Sequence, residues 1–142
     1  MDKTAEFNVE TIKSHIYRKW GTFSNIEDQV YSLDDIKEIE AIVYPKNLYK
    51  QAAKISDVLL FSFEKEKIRT VTFDEEGSIT VVSRLINSIQ TIELTHKNRG
   101  FSRLTINFKD GEKIEMDSQN DSDHKQWGYQ EIIMKLYKEI KW

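Results

Sequence analysis

The chain of 142 residues carries 21 basic against 24 acidic side chains and no cysteine, which is enough length for one core without staples and excludes disulfides, thiolate metal sites and a cysteine nucleophile. So even a charge balance provides no global field to draw in nucleic acid or an anionic membrane, and no nucleic-acid partner is expected. An apolar share of 39% belongs to a globular chain, no stretch approaches the ~18 apolar residues of a spanning helix, and the opening MDKTAEFNVETIKSH lacks the apolar run of a secretion signal. A soluble, cytoplasmic protein without an integral membrane segment is expected.

From Asn8 to Trp20, the residues Val9, Ile12, Ile16 and Trp20 recur at steps of three and four. This spacing predicts an amphipathic helix with Asn8 as its N-cap and Gly21 as its stop. Ser32 and Asp35 stand at capping-box spacing ahead of Leu33, Ile36, Ile39 and Val43, which predicts a second helix that Pro45 ends. Leu48, Ala52 and Ile55 predict a short third helix.

From Asp57 the period changes to two. Strands are predicted over Val58 to Glu64, Lys67 to Asp74, Ser78 to Leu85, Ile89 to His96, Phe101 to Lys109 and Glu112 to Asp117, reversing at DEEGS, KNRG and KDGE. Leu104, Ile106 and Phe108 share one strand face, so that strand reads as half buried. In the strand from Val58 to Phe63, Leu59, Phe61 and Phe63 load one face while Val58 and Leu60 load the other, which requires a second cover that the N-terminal helices can supply. A final helix follows SQNDSD, with Tyr129, Ile133, Leu136, Tyr137 and Ile140 as its core stripe. Burying these side chains is worth on the order of 10 kcal/mol before entropy is subtracted. The expectation is one α+β domain over 1–142, with a helical part over 1–56 and a six-stranded antiparallel meander closed by a C-terminal helix packed on the sheet over 57–142.

The linker and strand LINSIQTIEL, with Leu85, Ile89, Ile92 and Leu94, the hairpin GFSRLTINFKDGEKIEM, and the helix containing Trp127 together resemble the small bacterial versions of the pleckstrin-homology superfold. That resemblance implies two orthogonal sheets plugged at one end by the C-terminal helix. The whole chain is also similar to a Bacillus-type family of small proteins known only as a domain of unknown function. Such a fold does not by itself imply a function.

Eukaryotic members of the superfold bind inositol phosphates through a basic motif in the first hairpin, and FEKEKIRTV places Lys65, Lys67 and Arg69 at a similar spacing. Glu64 and Glu66 are interleaved with them and oppose their field. A second basic group, His96, Lys97, Arg99 and Arg103, lies beside Phe101, a pattern that can hold a single strand of nucleic acid, although Phe101 also fits as a core residue of its strand. In DSQNDSDH the acidic residues alternate as in a calcium loop, but Ser122 stands where that loop needs glycine and Gly128 where it needs a bidentate glutamate. Helix capping by Asp121 or Asp123 accounts for the run better. His15, His96 and His124 show no metal-ligand spacing, and no nucleophile elbow, phosphate loop or dinucleotide fingerprint is present. The reading is a non-catalytic bacterial or phage protein that binds an unknown protein partner, with no cofactor and no metal. The alternative is a peripheral binder of anionic lipid or a phosphorylated ligand through Lys65, Lys67 and Arg69.

Overall fold

A computed structural model describes residues 7–20, 42–76, 78–97 and 101–140. Among them run helix α1 (Val9–Trp20), strand β1 (Ile42–Lys46), a single 3-10 turn (Ile55–Asp57), strands β2 (Leu59–Phe63), β3 (Lys67–Phe73) and β4 (Ile79–Leu85), a second 3-10 turn (Ile86–Ser88), strands β5 (Ile89–Lys97), β6 (Phe101–Phe108) and β7 (Lys113–Asp117), and helix α2 (Gln126–Glu139). The strands form two antiparallel sheets, β1-β2-β3-β4 and β5-β6-β7. The protein is therefore α+β with a C-terminal helix, and the meander has seven strands among the described residues where six were expected.

The extra strand comes from a stretch expected to be helical. The body of the second predicted helix lies outside the described residues, but its last turn is β1, in which Val43 pairs with Ser62 and Pro45 with Leu60. Pro45 is compatible with this because β1 is a sheet edge, where a missing N–H costs nothing in the ladder. The third predicted helix is instead a turn. Asn47 adopts φ 67°, its side chain donates to the Asp57 carbonyl at 2.9 Å, and Asp57 in turn accepts the Lys54 N–H at 2.9 Å. Leu48 and Ile55 are buried all the same.

The other reversals follow local chemistry. The Thr11 N–H donates to the Asn8 side chain at 2.8 Å, an N-cap bond that starts α1. Asp74 accepts the N–H groups of Glu76 and Ser78, and Asp110 accepts that of Glu112 at 2.9 Å. Gly111 takes φ +90°, a left-handed conformation that glycine adopts without a Cβ clash. The hairpin from Phe101 to Asp117 thus closes on its own turn.

Strands β1 to β3 of the first sheet are covered on both faces. Tyr44, Phe61, Phe63 and Ile68 face Leu104, Ile106, Phe108, Ile114 and Met116 of the second sheet and Tyr129, Ile132, Ile133 and Leu136 of α2 in one core. Val43, Val58, Leu60, Val71 and Phe73 form a second core with Ile12, Ile16 and Trp20 of α1. The doubly apolar β2 requires this arrangement, and α1 provides the cover. Helix α2 lies against β6 and β7. Its buried stripe is Tyr129, Ile132, Ile133 and Leu136, whereas Tyr137, expected in the stripe, is 44% exposed. Ile132 takes that place, because a stripe centred between Tyr129 and Leu136 turns position 137 toward solvent.

Leu136 is 1% exposed, so Leu136→Asp, which would bury an unpaired charge, should unfold the protein at room temperature. Tyr137→Ala should change stability by less than about 0.5 kcal/mol. Thermal unfolding followed by circular dichroism separates the two, and equal effects would refute the burial assignment for α2.

Candidate functional site

The three cations of the phosphate-binding alternative sit at the β2–β3 turn, which closes with the Glu64 N–H donating to the Lys67 carbonyl at 2.9 Å. Lys65 is exposed and Lys67 half-buried. Arg69 does not join them as a free cation: its Nε lies 2.8 Å from Glu64 Oε2, with that carboxylate 6% exposed. A phosphate would have to displace a buried counterion already in place. Of the second basic group, Arg103 pairs with Asp117 at 3.2 Å and lies over the Phe101 ring, His96 Nδ1 is 2.8 Å from Ser102 Oγ, and Arg99 lies outside the described residues.

The acidic run DSQNDSDH is likewise consumed internally. Asp121 accepts the Tyr44 hydroxyl at 2.5 Å and the Asp117 N–H at 2.8 Å, and it pairs with Lys46 at 3.0 Å. Burial pushes the Asp117 carboxyl up, but the N–H groups of Gln119 and Asn120, with Arg103 and the Asn120 side chain, outweigh it and hold the group below the ordinary carboxylate range. Asp123 accepts the Gln51 N–H at 2.8 Å. Neither Asp121 nor Asp123 caps α2; Ser122 accepts the Lys125 N–H at 3.2 Å instead. These carboxylates serve separate partners, and no group of three or more metal-ligating side chains converges among the described residues. A cleft of about 340 Å³ beside Asn47, Lys50, Ala52, Ala53, Asp57 and Asp123 has its two carboxylates engaged as turn acceptors, Asp57 by Lys54 and Asp123 by Gln51.

Among the described residues, several large apolar side chains are exposed. Trp20 of α1 is buried in the second core, and Trp142 lies outside the described residues, but Trp127 is 56% exposed on α2. The larger feature is β4. Val81, Val82 and Leu85 are 48%, 40% and 56% exposed, and β4 ends its sheet. The ladder also fixes which backbone groups are free. The Asp74 N–H donates to the Ser78 carbonyl at 3.0 Å, and the Ile86 N–H donates to the Glu66 carbonyl at 2.8 Å. Because antiparallel bonding alternates, the even-numbered residues of β4 face β3, while Ile79, Val81, Ser83 and Leu85 point their N–H and C=O groups outward. The Leu85 carbonyl accepts the Ser88 hydroxyl at 2.6 Å and so marks the end of the open edge. The one ionisable side chain on β4, Arg84, is drawn inward to Asp110 at 3.0 Å and over the Phe108 ring.

Among the described residues, this edge lacks three of the devices that keep edge strands apart. It carries no proline, no bulge against β3 and no free lysine. The sequence signal was present in ITVVSRL, seven residues with a single charge, but position at a sheet edge depends on strand order and was not read from the alternation.

Among the described residues, the architecture is α+β, two antiparallel sheets with helix α1 covering the first and helix α2 against the second, and with an exposed apolar edge at β4. The chain belongs to a family of proteins of unknown function (DUF3908), whose model matches residues 8–131. A comparison with curated proteins found no match. No helix among the described residues is long and apolar enough to cross a membrane.

Two outcomes follow from the charge arrangement. In liposome co-sedimentation at ~0.15 M salt, where exposed charges are screened beyond about 8 Å, the protein should stay in the supernatant. Sedimentation that Lys67→Glu with Arg69→Glu abolishes would reverse this conclusion. The second concerns His15, which stands edge-on to Tyr49 with centroids 4.8 Å apart and has its Nε2 buried without a hydrogen-bond partner. Burial, followed by the nearby charges of Lys19 and Arg18, holds this imidazole below its ordinary value against an opposing hydrogen bond at Leu48. The unfolded chain therefore binds the proton more readily, so stability is full above about pH 6.5 and falls as pH drops through the lowered folded value. His15→Gln should flatten that part of the stability profile in denaturant titrations, and an unchanged slope would show that another group titrates there.

Proposed function

We propose that this chain is a non-catalytic protein-binding module, a pleckstrin-homology-like body whose β4 edge receives an extended segment of another chain. The observation that carries the reading is the open edge: outward backbone donors and acceptors at Ile79, Val81 and Ser83, flanked by exposed Val81, Val82 and Leu85. Adding a strand to such an edge satisfies the backbone groups and buries the side chains in one step. The superfold reading is supported by the two antiparallel sheets and the helix α2 against β6 and β7. The non-catalytic reading is supported by the acidic groups, since Asp117, Asp121 and Asp123 each hold a structural partner. No observation favours the phosphate alternative over this one, since Arg69 is held by Glu64.

Affinity capture from cells that express the protein, comparing wild type with V81K/S83K, tests the proposal. A partner retained by wild type and reduced at least tenfold with the variant is the expected result. A partner held equally by both would place the interface elsewhere.

A further inference from the structure

We infer that the β4 edge pairs with the β4 edge of a second copy of this chain, antiparallel about a two-fold axis at Val82. The inference rests on the reading of β4 as the interface and adds the identity of an occupant. Only residues 79, 81, 83 and 85 present outward backbone groups, and a strand-to-strand register must match outward residues with outward residues. Centring the axis on Val82 does this along the whole strand. It sets Val81 opposite Ser83 of the second copy, Ile79 opposite Leu85, and Val82 opposite itself.

The side chains agree with that register. Residues directly opposite share a sheet face. Val81 lies opposite Val71 and Ile79 opposite Phe73, and Val71 and Phe73 belong to the α1 side of the sheet. The pairing therefore gathers Ile79, Val81 and Leu85 of both copies on that one side. Val81 and Leu85, half-exposed in the single chain, gain apolar neighbours diagonally across the new strand pair. A slip of one residue would turn the outward backbone groups against inward ones and mix the two faces.

Charge permits the same arrangement. Arg84 falls opposite Thr80 rather than opposite another cation, and its guanidinium is already paired with Asp110 of its own chain at 3.0 Å. An unrelated partner would have to supply a complementary strand of its own, whereas β4 is complementary to itself. At each central pair, Val81 with Ser83 of the second copy, two backbone hydrogen bonds form. At the ends, the bond from the Leu85 N–H remains available, while the Leu85 carbonyl stays with Ser88.

The test uses the full chain in sedimentation equilibrium or light scattering over a concentration series. The average mass should rise from one chain toward two as concentration increases. V81K/S83K places lysine opposite lysine across the axis and should hold the protein at one chain throughout. V81K/S83E places lysine opposite glutamate and should restore the rise. Both side chains are exposed, so circular dichroism and melting temperature should match wild type. Should a variant misfold, wild-type amide exchange decides the matter: the amides of Val81, Ser83 and Leu85 should gain protection with concentration, while those of Thr80 and Val82 stay protected at every concentration.

A wild type that stays at one chain, or a dimer indifferent to V81K/S83K, overturns the inference. A monomeric wild type that still loses a captured partner on V81K/S83K fails this inference alone. A captured partner indifferent to the variant fails the interface reading as well.

Discussion

The Asp121 carboxylate, 2% exposed as a residue, is the point on which the two sheets are joined. A charge taken out of water is tolerated only where fixed donors and countercharges replace its hydration. Asp121 obtains them from three directions: the Tyr44 hydroxyl and the Lys46 ammonium from β1, and the Asp117 N–H from the end of β7. Its carbonyl also accepts the Asn47 N–H at 2.9 Å. The first strand of one sheet is thereby clamped to the last strand of the other, immediately before α2 begins. Burial and the neighbouring Asp121 charge push the Tyr44 phenol well above its ordinary value, which keeps it a donor. Tyr129 completes the joint, meeting Tyr44 edge-on at 5.1 Å and donating its hydroxyl to the Pro45 carbonyl.

With β1 held in this way, β2 becomes an interior strand and acquires cover on both faces, from the second sheet and α2 on one side and from α1 on the other. The same ordering leaves β4 as the far edge. Closure at β1 and exposure at β4 are thus two ends of one topology. The cover from α1 reaches Val71 and Phe73 of β3 with Ile79 packed against them, and it stops short of Val81 and Leu85, which remain half-exposed.

How much of this could be read from the sequence depended on how local the cause was. Six of the strands showed their period of two, and their turns carried Asp74 and Asp110, which accept the reversing N–H groups, and Gly111, which takes the left-handed conformation, so both were legible. The need for a second cover on β2 was legible too, from Val58 and Leu60 alone. Strand β1 was not, because IVYPK is short, contains proline and becomes a strand through pairing with Phe63 to Leu59, a contact made only after the fold brings them together. Nor was the role of Asp121, whose partner Tyr44 is 77 residues away; in the sequence it looked like a helix cap. The basic motif was legible as residues, but the pairing of Arg69 with Glu64 depends on hairpin register.

That pairing recurs in a way that bears on function. Arg69 with Glu64, Arg84 with Asp110, Arg103 with Asp117 and Lys46 with Asp121 show basic side chains of this fold joined to carboxylates of the same chain. Exposed pairs of this kind add little to stability, yet they matter for recognition, because an anionic ligand must first displace the resident carboxylate. The cost is greatest where that carboxylate is buried, as Glu64, Asp117 and Asp121 are. Internal pairing therefore weakens anion binding at these positions and, at Arg84, also clears the only charge from β4. The surface that results holds Arg69 and Arg103 in internal pairs where the sequence suggested a charged ligand and is open where it suggested an ordinary strand, and the chemistry that fits such a strand is backbone pairing with another strand.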